Sequence, residues 1–194
     1  MGLNITTQGG AFDPWVKFNG KSGRWYIKGA DGEVEITPTA FVADFANIKT
    51  GWLWFAAGLA PDRVWDKDIT SPAPKPSENH KRGFSLRLFS QATFGGVVDL
   101  SSSSMHICNA INELYEAYEA GQASNPGMLP VVKYNGTTAM KDKHGTNYKP
   151  NFSIEKWVAR PAAFEGDTTT APQAQSAPAP APVAAPAASS VSEF

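Results

Sequence analysis

Residues 24–164 predict a mainly β domain with one helix, folded as a closed or partly open antiparallel barrel. Three observations carry this prediction. Short stretches rich in aromatic and β-branched residues recur with period-2 alternation, Gly- and Pro-rich clusters separate them, and helical spacing is sustained only after Ser104. Residues 165–194 are read as a separate tail: from about Thr168 the chain is Ala, Pro, Ser, Thr and Gln, with no aromatic residue until Phe194. Such a segment buries too little apolar surface to offset the entropy of ordering it, so disorder is expected.

Residues 1–23, rich in Gly, Asn and Thr, read as a loosely ordered arm. Arg24-Trp25-Tyr26-Ile27-Lys28 reads as a strand, Gly29-Ala30-Asp31-Gly32 as a turn, and Glu33-Val34-Glu35-Ile36 as its hairpin partner. Residues 41–48 fit a strand or a short helix, and the Thr37-Pro38 boundary favours strand. Residues 51–56 form a firmer strand, and Pro72, Pro74 and Pro76 punctuate the exposed loop that follows. Residues 83–89 alternate strictly, with Phe84, Leu86 and Leu88 on one side and Ser85, Arg87 and Phe89 on the other. Gly95-Gly96 and residues 97–100 complete a second hairpin.

Four serines, Ser101 to Ser104, offer an N-cap to the helix, whose apolar face is Ile107, Ile111, Leu114, Tyr115 and Tyr118 and which Gly121 stops. Its other face carries Glu113, Glu116 and Glu119, which points it away from a polyanion. Residues 129–134 and 151–158 read as two last strands around a polar hairpin loop, 135–150. The total is about seven strands, a count that an OB-fold-like barrel accommodates and a sandwich also permits.

Charge excludes some classes of function and permits others. All 17 Lys and Arg lie between Lys17 and Arg160; 15 carboxylates accompany them up to Phe164, a net +2, and three more follow. That balance permits a nucleic-acid partner without demanding one. Cys108 is the sole cysteine, which excludes a disulfide framework. No basic start leads into an apolar core as in a secretory signal, and no apolar run nears a membrane span, so a soluble intracellular protein is expected.

Enzyme signatures fail on spacing. Gly20-Lys21-Ser22 matches the end of a phosphate-binding loop, but Trp15 stands where its first glycine belongs. His80, His106 and His144 are far apart and do not join Cys108 at zinc-ligand spacing, so neither metal nor cofactor is expected. Asp62, Asp66 and Asp68 cluster as in some metal nucleases, but they alternate with Arg63 and Lys67 as in a solvated loop.

Basic residues interleaved with aromatic ones are the positive signal. Cations track phosphates while flat rings stack on bases of any identity, the mixture a single-strand binder needs. The candidates are Trp25 and Lys28; Lys49, Trp52 and Trp54; Arg63, Trp65 and Lys67; Lys81, Arg82, Arg87 and Phe89; and Lys133, Tyr134, Lys141, Lys143, Tyr148 and Lys149. Alternation leaves two assignments for residues 52–55. Either Trp52 and Trp54 fill the core, or Leu53 and Phe55 do and the tryptophans face outward. Trp65 serves equally as a loop anchor or a stacking ring.

Asn79-His80-Lys81-Arg82-Gly83-Phe84 and the strand to Phe89 resemble a segment of phage-encoded single-stranded-DNA-binding proteins. So do Gly127-Met128-Leu129-Pro130-Val131-Val132, the stretch from Gly145-Thr146-Asn147-Tyr148 to Phe152, and Trp157-Val158-Ala159-Arg160-Pro161. The resemblance covers most of residues 20–164 and implies a non-catalytic protein that coats single-stranded DNA during phage replication or recombination. Its setting would be the cytoplasm of the infected host. The modest charge predicts moderate affinity per domain, so several domains on one strand, with self-association there, are the expectation. The tail is similar in layout to those of bacterial single-strand binders, which dock replication and recombination proteins through a terminal phenylalanine. Here Glu193 and Phe194 would take that role, with one acid where that family has several. The alternatives are a virion or assembly protein making protein–protein contacts, or a small nuclease using the three aspartates.

Overall fold

A computed structural model describes residues 14–29, 32–56, 58–143 and 145–165. The arm up to residue 13, His144 and the tail beyond Glu165, with Glu193 and Phe194, lie outside the described residues. The chain is mainly β: β1 (Trp15–Asn19), β2 (Arg24–Gly29), β3 (Gly32–Ile36), β4 (Ala40–Ala43), β5 (Lys49–Trp54), β6 (Asp62–Trp65), β7 (Lys81–Ser90), β8 (Gly96–Ser102), β9 (Met128–Asp142) and β10 (Gly145–Ala159). One helical turn, α1 (Gln91–Phe94), closes the β7–β8 hairpin, and α2 (Met105–Gln122) follows β8.

The strands form one sheet in the order β10-β9-β4-β7-β8-β1-β2-β3, with β5 and β6 branching from β7. β1 runs parallel to β8, and the other ladders among the described residues are antiparallel. The sheet is not closed into a barrel: β10 and β3 end its order without pairing. It curls instead. Trp25 of β2 meets Tyr134 of β9 and Phe152 of β10 at ring distances of 5.9 and 6.2 Å, and the Tyr148 N–H donates to Gly20 C=O at 2.7 Å.

Inside the curl lie Val16, Phe18, Trp25, Phe41, Leu86, Leu88, Val98, Leu100 and Val132, packed against Ile107, Ile111, Leu114 and Tyr118 of α2. This inner face is the one the alternation of residues 84–88 predicts. Burial of one such aliphatic or aromatic side chain is worth about 1.5–3 kcal/mol, so the core drives the curl.

Several expectations are corrected. Trp15–Asn19, read as arm, is an interior strand between β8 and β2, and its alternation buries Val16 and Phe18. The strand expected over 41–48 ends at Ala43 and gives way to a 3-10 turn, Phe45–Asn47. Buried Asp44 causes the turn-off: its N–H donates to Arg87 C=O at 3.0 Å, and its carboxylate receives both Arg160 Nη atoms at 2.7 Å. The loop expected over 135–150 is two long strands, whose residues are polar on both faces and so carry no alternation signal. Residues 62–65, read as solvated loop, form edge strand β6.

Gly121 does not stop α2, which runs to Gln122. A Cβ there would stand 2.4 Å from Trp157 Cζ2, so the glycine allows that ring to lie against the helix, where it stacks on Tyr118 at 5.7 Å.

Candidate nucleic-acid interface

Strand register divides the candidates between two faces. On β7 and β8 the inner residues are even-numbered, so Ser85, Arg87, Asp99 and Ser101 face outward. The Trp15↔Asp99 pairing carries that outer face to Trp15, Lys17 and Asn19 of β1, and from there to Lys28, Tyr26 and Arg24 of β2. Lys49↔Ser85 and Gly51↔Gly83 carry it the other way, to Lys49 and Leu53 of β5, then to Arg63 and Trp65 of β6, with Lys81 beside Leu53. One outer face therefore presents Lys17, Arg24, Lys28, Lys49, Arg63 and Lys81 among the rings of Trp15, Tyr26 and Trp65.

On β1 and β2 the rings and cations of this face touch. Lys17 Nζ lies 5.7 Å from the Trp15 ring and 5.4 Å from Tyr26, and Lys28 Nζ lies 5.9 Å from Trp15. Two carboxylates of β3 temper the charge, Glu33 on Lys17 at 2.7 Å and Glu35 on Arg24 at 2.9 Å. Lys49, Arg63 and Lys81 are exposed and have no carboxylate partner among the described residues. Trp65 lies over Gly51, where a Cβ would meet Val64 O at 2.4 Å and Trp65 Cε3 at 3.0 Å. The glycine thus leaves room for the indole against the sheet.

Trp15, Lys17 and Tyr26 are missing from the sequence-derived site. The signal was available in Trp15-Val16-Lys17-Phe18, whose alternation sets an aromatic and a cation on one side.

Trp52 and Trp54 face the other way. Leu53 is buried on the outer side, apart from the main core cluster, Phe55 is exposed and neither indole lies bare, so neither assignment for residues 52–55 is met in full. Trp52 donates its Nε1–H to Ala73 C=O at 2.7 Å, with Arg82 at 5.4 Å and Lys75 at 5.9 Å from its ring. Trp54 packs on buried His80 at 6.0 Å, whose Nδ1 lies 2.8 Å from Ser77 Oγ. The loop after β6 therefore covers both.

Asp66 ties that loop down. It accepts from Arg82 Nη1 and Nη2 at 2.7 and 2.6 Å, from Thr50 Oγ1 at 2.6 Å and from the Ala73 N–H at 2.8 Å. Arg82 above all, then Thr50 and Ala73, hold its carboxyl well below the usual range against the opposing effect of burial. Arg82 is thus committed to Asp66. Asp62 approaches His80 Nε2 at 3.2 Å, and Asp68 accepts from Thr70, so the three aspartates point to three different partners rather than to one cation. Lys67 is exposed beside them.

The remaining candidates separate further. Trp25 is only 2% exposed and belongs to the core, a correction to its reading as a stacking ring; Tyr134 and Tyr148 pack against the same core. Arg87 and Phe89 are on the outer face as expected, but Phe164 covers them, its ring 6.1 Å from that of Phe89. Lys149 binds Glu113 on α2, the helix face read as pointing away from DNA. Lys133 is exposed on β9 opposite Ala40, and Lys141 and Lys143 are exposed at the β9–β10 tip.

Beneath α2 a cleft of about 320 Å³ is lined by Ile48, Thr50, Ile69, Phe84, Cys108 and Tyr115 among others, and burial pushes the Cys108 thiol up to about 11. Among the described residues no helix is long and apolar enough to cross a membrane, and no three His, Cys, Asp or Glu side chains group as metal ligands. Comparisons with protein-family models, with curated proteins and with solved structures find no match to this chain, so the function is argued from the two faces of the sheet.

Proposed function

We propose that the chain is a non-catalytic single-stranded-DNA-binding protein of phage replication or recombination, with an OB-like scaffold. Its binding surface is the outer face. The observation that carries the reading is the interleaving, in ladder register, of six cations with Trp15, Tyr26 and Trp65 on that side. Exposed Lys49, Arg63 and Lys81 release counterions from phosphates, and the three rings stack on bases without regard to sequence. A duplex keeps its bases stacked on one another, so this surface prefers single strands. The OB-like description rests on the curl that sets Trp25 against Tyr134 and Phe152. Coating of a strand by several copies, and docking of replication or recombination proteins on Glu193 and Phe194, complete the proposal.

The test is intrinsic tryptophan fluorescence during titration with oligo-dT at low and high salt. Saturable quenching that weakens with salt and disappears in a Trp15→Ala, Trp65→Ala double variant is expected. An unchanged signal with no retention on single-stranded DNA overturns the reading. Exposed Phe55, Leu59 and Ile69, at 47, 65 and 50%, favour a second reading, a virion or assembly protein that buries them against another protein.

A further inference from the structure

Arg87 and Phe89 sit on the outer face, half-buried beneath Phe164 of the chain's own residues 161–165. Phe164, only 3% exposed, packs its ring against two guanidinium groups, with Arg87 Cζ 5.6 Å and Arg160 Cζ 5.3 Å from the ring centre. Phe89 closes a third side. Arg87 Nη1 donates to the Phe164 carbonyl at 3.1 Å, so the slot holds both a flat ring and the oxygen beside it. One wall is fixed apart from Phe164, since Arg160 is clamped by buried Asp44, and the other rises from Arg87 on β7 inside the sheet. The plug is slighter. It is one 3-10 turn, Ala162–Phe164, whose own backbone bonds are Phe164 N–H to Pro161 C=O and Glu165 N–H to Ala162 C=O.

A flat ring against two cations, with a carbonyl accepting from one of them, is also what a nucleobase supplies. The slot lies in line with the rest of the face: Arg87, Asp99, Trp15 and Lys28 stand opposite one another across β7, β8, β1 and β2. We propose that the Arg87–Arg160 slot is a nucleobase subsite of the outer face, held closed by Phe164 until a single strand displaces it. This rests on the single-strand-binding reading and adds to it a site whose opening is part of binding. The closed plug lowers apparent affinity by the fraction of molecules in which it is shut.

The full chain with 4-fluorophenylalanine placed at position 164 is titrated with oligo-dT while tryptophan quenching and the fluorine resonance are both followed. The expected result is that the resonance moves to a solvent-exposed position in step with quenching. In parallel, Phe164→Ala should bind oligo-dT about fivefold or more tightly, and adding Arg87→Ala should remove that gain. Quenching at saturation with an unmoved fluorine resonance overturns the subsite and leaves the outer-face reading standing. Weaker binding by Phe164→Ala overturns it as well. Absence of any quenching overturns the parent reading, and this one with it.

Discussion

Two sets of tryptophans on one sheet have similar neighbours and different fates. Trp15 and Trp65 stand on the outer face, Trp15 beside Lys17 and Lys28 and Trp65 over Gly51. Trp52 has cations beside it too, but its N–H is bonded to Ala73, and one of those cations, Arg82, is fixed by two hydrogen bonds to Asp66. An interleaving of basic and aromatic residues in sequence is therefore not yet a binding surface. Register parity decides whether such a pair meets solvent or a loop, and a hydrogen-bond network decides whether its cation is still available. On this sheet Trp15 and Trp65 have the first outcome, and Trp52 with Arg82 the second.

The largest effect that separates the sets is loss of the fold. Trp25→Ala removes a ring enclosed by Phe18, Tyr134 and Phe152 and should cost about 3–5 kcal/mol, read in a urea or thermal melt. A cost below about 1 kcal/mol would show that the curl of the sheet does not depend on that ring. Next comes affinity. Trp15→Ala and Trp65→Ala should each weaken oligo-dT binding by about 1–3 kcal/mol with a near-normal melt, because each loses a stacking ring and little packing. Trp52→Ala should do the reverse, lowering the melting temperature with affinity almost unchanged. If Trp52→Ala abolished binding and Trp65→Ala did not, the assignment of faces would be inverted.

Acid should separate the two sets without a mutation. Asp66 has a folded-state pKa below its unfolded value, so the stability it contributes is present above the unfolded value near 4 and is lost as pH falls through the folded one. The prediction is a stability decline beginning below about pH 4, with the β5–β6–β7 corner loosening ahead of the core, seen as hydrogen exchange in residues 66–76. Asp66→Asn should flatten the decline and lower stability at neutral pH by about 1–2 kcal/mol, a figure reduced because Arg82 is partly exposed. An unaltered acid limb in that variant would deny Asp66 the role of tether.

What the sequence discloses follows from which physics leaves a periodic trace. β7 is legible because one of its faces is buried and the other is not, so Phe84, Leu86 and Leu88 alternate with Ser85 and Arg87. α2 is legible for the same reason at a period of 3.6, through Ile107, Ile111, Leu114 and Tyr118. The distal halves of β9 and β10 leave little trace, since they pair with each other and, Tyr148 and Pro150 apart, are mostly polar. β1 carries the signal in Val16 and Phe18, but it follows a Gly- and Asn-rich stretch whose composition dominates the window. The site is half legible. Lys49, Arg63, Trp65 and Lys81 follow from aromatic–basic interleaving alone. The exclusion of Trp25, Trp52 and Arg82 depends on partners distant in sequence, such as Asp66 for Arg82 and Phe152 for Trp25. The plug on Arg87 is likewise invisible, because Phe164 lies 77 positions away.

The smallest effect tests the face residue by residue. If Lys49, Arg63 and Lys81 each neutralise a phosphate, replacing one by alanine should reduce the slope of log affinity against log salt by about 0.7 on a single strand. The loss should be uniform across oligo-dT, oligo-dA and mixed sequences, since a phosphate contact carries no base information. Lys149 and Arg82 serve as internal controls. Both are basic and close in sequence to aromatic residues, but Glu113 and Asp66 hold them, so their removal releases no counterion and should leave the slope unchanged. A slope that falls equally for all five would mean that general charge, not the outer face, attracts the strand. A slope that falls only for the three unpaired cations would localise the phosphate track to the odd-numbered side of β5, β6 and β7.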